Sequence, residues 1–149
     1  YYTENECNTV GLGLLGGGNL DDAIDAVLSG AVDTVIIVEN DLYRRADHAR
    51  VDAMLAAAKH VVVIDHTNTE TAKKAEVMLP AATFAEGDGT LVNNIGRAQR
   101  ITEVFTAPGL IRESWRWIRR MRAVSGRGTM KEWSTLDDFL STSASGIAR

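Results

Sequence analysis

Residues 61–80 read VVVIDHTNTETAKKAEVMLP, and this stretch decides the fold class. Val61-Val62-Val63-Ile64 is an unbroken β-branched run, the pattern of a strand covered on both faces. Thr69 to Glu76 predicts a short helix whose free N–H groups are capped by Thr67 or Asn68. Val77-Met78-Leu79 predicts a second strand, stopped by Pro80, which has no backbone donor for a ladder. Strand, helix and strand in twenty residues is the unit of a parallel sheet, with a right-handed crossover.

The same alternation extends upstream. Gly11 to Gly18 is glycine-rich, and Asn19 stands where an N-cap belongs, with Asp21 and Asp22 in the positive first turn that follows. Ile24, Val27 and Leu28 share one face of that predicted helix, and Gly30 ends it. Val35-Ile36-Ile37-Val38 repeats the buried-strand pattern. Arg45 to Lys59 predicts a second helix, with Val51, Met54, Leu55 and Ala58 at core spacing.

Downstream of Pro80 the alternation stops. Gly87-Asp88-Gly89 is a tight turn, and Thr90 to Asn93 is a short extended piece. Arg112 to Val124 predicts a helix with Trp117, Ile118, Met121 and Val124 toward the core, and Leu136 to Leu140 a last helical turn. The expectation is an α/β fold, three-layer and Rossmann-like, whose mostly parallel sheet of about three to four strands is flanked by helices. Residues 1–19 are expected to be a polar, Gly-rich lead-in loop, 20–125 the α/β domain, and 126–149 a C-terminal tail with a short helix.

At 149 residues and 45% apolar the chain can bury one sizeable core. Its start at Tyr1 and the loop-like composition of residues 141–149 are expected of a piece of a longer polypeptide. Residues 1–90 carry 6 Lys/Arg against 15 Asp/Glu, whereas residues 91–149 carry 10 against 5. The basic residues concentrate in one helix without a nucleic-acid signature, so no nucleic acid partner is expected. Cys7 is the single cysteine, which excludes a thiolate cluster or disulfide built by this chain and fits a reducing compartment. No apolar run approaches the roughly 20 residues of a membrane helix, so direct membrane insertion is not expected.

Four constellations invite chemistry. Gly11-Leu12-Gly13-Leu14-Leu15-Gly16 matches the dinucleotide fingerprint, with Glu39 near the place of a ribose-binding acid. The fingerprint works only when a strand feeds it, and Thr3 to Thr9 is no buried strand, so the stretch is read as a connecting loop. Glu39-Asn40-Asp41 and Asp65-His66-Thr67 each follow a predicted strand, and in an open parallel sheet such loops line one crevice. Glu39, Asn40, Asp65 and Thr67 are therefore the candidate binding residues, against the plainer reading that Asp41 and Thr67 cap the next helices.

His66 beside Asp65 has no nucleophile placed by any motif and is read as structural; no catalytic residue is expected. His48 and His60 lack ligand spacing with each other or with Cys7, so no metal site is expected. Arg112, Arg116, Arg119, Arg120 and Arg122 surround a helix and predict a solvated or partner-facing surface, where an exposed Trp115 would mark a protein interface.

Asp65 to Arg100 resembles the molybdopterin oxidoreductase family. Its elements stand here as Asp65, Thr69-Glu70-Thr71-Ala72, Ala75-Glu76-Val77-Met78-Leu79-Pro80, Glu86, Gly89-Thr90, Asn93 and Gly96-Arg97-Ala98-Gln99. Val38-Glu39-Asn40-Asp41 matches the family's strand ending in a Glu-Asn pair, and the likeness covers about residues 9–125. Within the family, the version VENDLYRRA with HTNTETA is most similar to the large iron-sulfur subunits of bacterial NADH-quinone oxidoreductase, complex I. Formate dehydrogenases and nitrate reductases are expected to read GENP where Asp41 stands here.

The resemblance implies a scaffold domain, without redox centres of its own, supporting electron transfer from NADH to quinone coupled to ion translocation. It implies iron-sulfur clusters elsewhere in the parent subunit, no cofactor in this fragment, and no molybdopterin. The implied partners are the rest of the same subunit and other peripheral-arm subunits of complex I, on the cytoplasmic side of the bacterial inner membrane. Glu39, Asn40, Asp65 and Thr67 would then be a vestigial dinucleotide crevice. The alternative is a pterin-dinucleotide-binding domain of an active molybdenum oxidoreductase such as a formate dehydrogenase.

Overall fold

The structure, a computed structural model, describes residues 6–144. Its elements are, in order, α1 (Thr9–Leu14), α2 (Leu20–Leu28), β1 (Thr34–Val38), a 3-10 turn (Leu42–Arg44), α3 (His48–Ala57), β2 (His60–Asp65), a second 3-10 turn (Ala72–Lys74), β3 (Val77–Pro80), β4 (Gly89–Val92), β5 (Ala98–Ile101), α4 (Ser114–Val124) and α5 (Leu136–Ala144). The fold is α/β, with a parallel three-stranded sheet flanked by helices and a separate antiparallel pair. Two compact units divide the chain: residues 18–82 with 108–114, and the remainder.

In the first unit the strand order is β1-β2-β3, all parallel, with Val35 opposite Val61, Ile37 opposite Val63 and Val63 opposite Met78. One sheet face supplies Ile37, Val61 and Val63 to a core shared with Ile24 and Val27 of α2 and with Val51, Met54 and Leu55 of α3. Burying each such side chain stabilises the fold by about 1.5–3 kcal/mol. The two helices are also tied by Arg50, which reaches Asp25 at 2.8 Å and Asp21 as well. Asn19 caps α2 as expected, its Oδ1 accepting from the Asp22 N–H at 2.8 Å. Gly30 follows that helix with φ +75°, a left-handed turn that residues with a Cβ resist.

Several expectations need correction. Leu28 is 45% exposed and lies outside the α2 core face. The β-branched run of β1 is covered on one face only, since Ile36 is 49% and Val38 38% exposed. The helix expected from Arg45 starts at His48, because Asp41 opens a 3-10 turn first and Asp47 then caps α3 through the Arg50 N–H at 3.1 Å. The helix expected over Thr69 to Glu76 is a single 3-10 turn. Neither Thr67 nor Asn68 caps it: Thr71 stands at the cap position without a side-chain cap bond, and Thr69 Oγ1 accepts from the Ala72 N–H at 3.1 Å. β3 does stop at Pro80, its last residue, whose carbonyl accepts from the Arg112 N–H at 3.4 Å.

The second unit holds α1, the β4–β5 hairpin, α4 and α5. The glycine-rich stretch expected to be a loop contains a helix, α1. Asn8, just before it, bonds to β4 like a strand residue: its Oδ1 accepts from the Val92 N–H at 2.8 Å and its amide donates to the Thr90 carbonyl at 3.4 Å. β5 escapes a periodicity search because Ala98-Gln99-Arg100-Ile101 has no apolar pattern. It is set by a turn in which Asn93 Oδ1 accepts from the N–H groups of Ile95 (3.2 Å) and Arg97 (2.9 Å).

On α4 the expected apolar face is displaced. Trp115 is buried at 7% exposure and stacks on Phe139 of α5 with ring centroids 5.9 Å apart, whereas Val124 is 84% exposed. The arginines are not simply solvated. Arg116 lies 4.4 Å over the Trp115 ring, Arg119 donates to the Trp133 carbonyl at 2.9 Å, and Arg122 pairs with Glu132 at 3.2 Å. Such stacking lets planar guanidinium groups line aromatic side chains. α5 begins with a reciprocal cap: Thr135 Oγ1 accepts from the Asp138 N–H at 3.2 Å, and Asp138 Oδ2 from the Thr135 N–H at 2.9 Å.

Candidate functional site at the strand ends

β1 and β2 are adjacent and parallel, so the loops that begin at Glu39 and at His66 leave the sheet at the same end. Glu39 turns the chain out of β1 with φ +48°, an uncommon conformation for a residue with a side chain. Its N–H still donates to the Ile64 carbonyl at 2.8 Å, and its Oε1 accepts from the hydroxyl of the buried Ser114. Asn40 Oδ1 accepts from Arg45 Nε at 3.1 Å.

Asp41 anchors the loop from the other side. Its Oδ1 accepts from the Thr71 hydroxyl at 2.7 Å, and Thr71 Oγ1 in turn accepts from the Leu42 N–H at 2.8 Å. Thr71 is fully buried, so one hydroxyl satisfies a donor and an acceptor that would otherwise face the core. The loop after β1 is thereby fastened to the T-E-T-A segment after β2.

Asp65 is 3% exposed. Its Oδ1 accepts from the Thr67 N–H at 2.9 Å, a local turn closed by the carboxylate. His66 Nδ1 lies 3.6 Å from the same oxygen. Thr67 offers no side-chain cap; its carbonyl accepts from the Thr69 N–H at 3.0 Å. Among the described residues no three His, Cys, Asp or Glu side chains converge as a metal-ligand group.

Beside these loops Tyr43, Asp52 and Lys74 form an exposed cluster. Tyr43 donates its hydroxyl to Asp52 at 2.5 Å, and Lys74 Nζ does the same at 2.5 Å. The Lys74 bond, then the Tyr43 bond, holds the Asp52 carboxyl below its usual range. Burial, then the Asp52 carboxylate, pushes the Tyr43 phenol up, and the Asp52 bond raises Lys74. This cluster ties α3 to both 3-10 turns.

A dinucleotide needs donors and positive charge around its diphosphate, commonly at a helix N-terminus. Here the strand ends present three carboxylates, Glu39, Asp41 and Asp65, each bonded within the chain. The 3-10 turns that follow are three residues long and offer no extended helix end. These carboxylates supply neither the donors nor the positive charge that a diphosphate needs. Sequence reasoning found Glu39, Asn40, Asp65 and Thr67 at one sheet end; it missed Thr71 and Ser114, which bind the two loops. The T-E-T-A motif signalled Thr71, whereas nothing local signalled Ser114.

Of the dinucleotide-like glycines only Gly11 serves packing, since a Cβ on Gly13 or Gly16 would meet nothing within 4 Å. Among the described residues no strand precedes Gly11, and a Cβ there would collide with Asn8 Oδ1, the atom that holds Val92. The first glycine therefore makes room for Asn8.

The chain is 49% identical over 144 residues to the G subunit of the NADH-quinone oxidoreductase of Pseudomonas putida, covering 93% of this chain and 16% of that protein. The corresponding proteins of Salmonella typhimurium and Escherichia coli K12 are 42% and 40% identical over 138 residues, 89% of this chain and 15% of theirs. The chain thus spans about a sixth of the length of these relatives. The sequence profile of the molybdopterin oxidoreductase family matches residues 5–124, and the chain belongs to that family.

Proposed function

We propose that this chain is a structural module of the large iron-sulfur subunit of an NADH-quinone oxidoreductase. It would support electron transfer from NADH to quinone by shaping and holding the parent subunit, with the iron-sulfur clusters carried elsewhere in that subunit. Its partners would be the rest of the parent subunit and the neighbouring peripheral-arm subunits, on the cytoplasmic side of the bacterial inner membrane. The observation that carries this reading is the inward use of the strand-end groups. Glu39, Asn40, Asp41 and Asp65 each bond to the chain's own Ser114, Arg45, Thr71 and Thr67, in the place where active relatives would present groups to a pterin dinucleotide. The crevice is vestigial in this reading. Among the described residues, no helix is long and apolar enough to cross a membrane.

The test uses the full-length subunit in the assembled complex, with Glu39→Gln and Asp65→Asn introduced together. The expected result is less assembled complex but unchanged NADH–quinone turnover per complex, with no stoichiometric molybdenum. Lost turnover in normally assembled complex would refute a scaffold role, and stoichiometric molybdenum would favour the pterin-binding alternative.

A further inference from the structure

We infer that the arginine face of α4 is a docking site for an acidic segment of a different subunit of the assembled complex, whose carboxylates meet Arg119, Arg120 and the Trp115 indole. The inference rests on the proposed place of the chain in a multi-subunit oxidoreductase.

Charge sets this face apart. Residues 114–131 hold six Lys/Arg and no Asp/Glu, in a chain whose net charge is -4. Five of the six are arginine, and Arg is enriched and Lys depleted at protein interfaces, whereas a merely wet face has no reason to choose between them. Arg122 is neutralised by Glu132 at 3.2 Å. Arg119 and Arg120 have no carboxylate partner among the described residues, and Arg120 is exposed. Beside the face lies a polar groove of about 600 Å³ lined by Arg122, Lys131, Trp133 and Asp138. Asp138 is engaged in the cap of α5, so Lys131 extends the positive strip.

Two of the guanidinium groups are already held in place. Arg116 lies 4.4 Å over the Trp115 ring, and Arg122 4.4 Å over that of Trp133. Stacking orders each planar fork before a partner arrives, so less side-chain freedom is lost on binding.

The same face holds two buried donors without an acceptor among the described residues, Trp115 Nε1 and Arg119 Nε. They stand four residues apart on one side of α4, with the Arg119 guanidinium carbon 5.8 Å from the Trp115 ring centre. An unmet buried donor is destabilising, and an incoming acceptor recovers that loss. One carboxylate, with two acceptor oxygens, can serve both. The side chains packed on Trp115, Arg116 and Phe139, must shift to admit it.

The occupant is assigned to another subunit because exposed charge of one sign speeds the encounter of separate molecules, which a segment tethered to the same chain does not need. Nucleic acid is disfavoured because both indoles are packed against Phe139 and arginines instead of being offered to a base.

The test uses the complete subunit in the assembled complex. Arg120→Lys places an amine on the face, and a zero-length carbodiimide joins an amine to a carboxylate in contact with it. The expected result is a link from position 120 to an Asp or Glu of a different subunit. A link only to the same polypeptide or to a second copy, or no link while other lysines of the complex react, would overturn the inference. In parallel, the complete subunit carrying Arg119→Gln with Arg120→Gln is recombined with complex depleted of it. Association about tenfold slower than wild type at low salt, and equal to it near about 1 M salt, is expected. An unchanged low-salt rate contradicts the inference, and a difference abolished by nuclease treatment assigns the face to nucleic acid instead. Either failure with normal assembly and turnover leaves the scaffold reading standing.

Discussion

The two units of the chain are built by different means. The parallel unit holds thirteen of the fourteen buried apolar side chains among the described residues, from Ile24 to Ala82. The other unit holds one, Trp115, and is knit by polar and aromatic side chains instead: Asn8 on β4, Asn93 in the hairpin turn, and Arg116 and Arg122 against indole rings. A unit organised by apolar burial announces itself through local periodicity. A unit organised by individual polar contacts does not, because the partners of each contact are far apart in sequence.

The contrast predicts graded responses to substitution. The largest effect belongs to Ile24→Ala, which opens a cavity at a side chain with 0% exposure and should cost about 2–5 kcal/mol in a urea-unfolding measurement. A cost near that of a surface substitution would show that the parallel unit is not held by its core. Next is Thr71→Val, which keeps the shape but removes the hydroxyl between Asp41 and the Leu42 N–H; about 1–3 kcal/mol is expected, with Thr71→Ser close to wild type. If Val and Ser behave alike, the strand-end loops are not fastened by that hydroxyl.

In the second unit Asn8→Ala should cost about 1 kcal/mol and selectively speed exchange of the Val92 amide. Gly11→Ala should produce the same Val92 signature through its collision with Asn8, and the double variant should add little to either. Additive effects would separate the two residues and dissolve this explanation of the glycine.

The smallest effect is in pH dependence. The carboxyl of Asp52 titrates below its unfolded range, so its contribution is present above roughly pH 4 and fades as pH falls through the lower folded value. Tyr43 and Lys74 titrate above their unfolded values, so their contribution is complete below roughly pH 10 and fades as pH rises through the folded values. Asp138 in the second unit, lowered by its Ser134 and Thr135 bonds, contributes to the acid limb alone. Stability profiles of Asp52→Asn and Asp138→Asn should therefore differ: the first flattens both limbs, the second only the acid one.

The candidate site divides along the same line. That Glu39, Asn40, Asp65 and Thr67 lie at one end of the sheet followed from two β-branched runs and the rule for parallel strands. Their bonding partners did not follow, because Ser114 lies 75 positions from Glu39 and Thr71 lies 30 from Asp41. The fingerprint at Gly11 to Gly16 makes the same point in reverse. Its letters fit a nucleotide turn, but its context does not, and Gly11 is needed for an asparagine three positions earlier.

Local chemistry was enough for the strands of the parallel sheet, the Asn19 cap, the Gly30 stop and the family, since each depends on neighbours within a few residues or on a motif's own spacing. The folded chain alone settled the one-sided cover of β1, the burial of Trp115, the β5 pairing and the inward bonding at the strand ends. Those features depend on which distant groups meet, and periodicity carries no record of that.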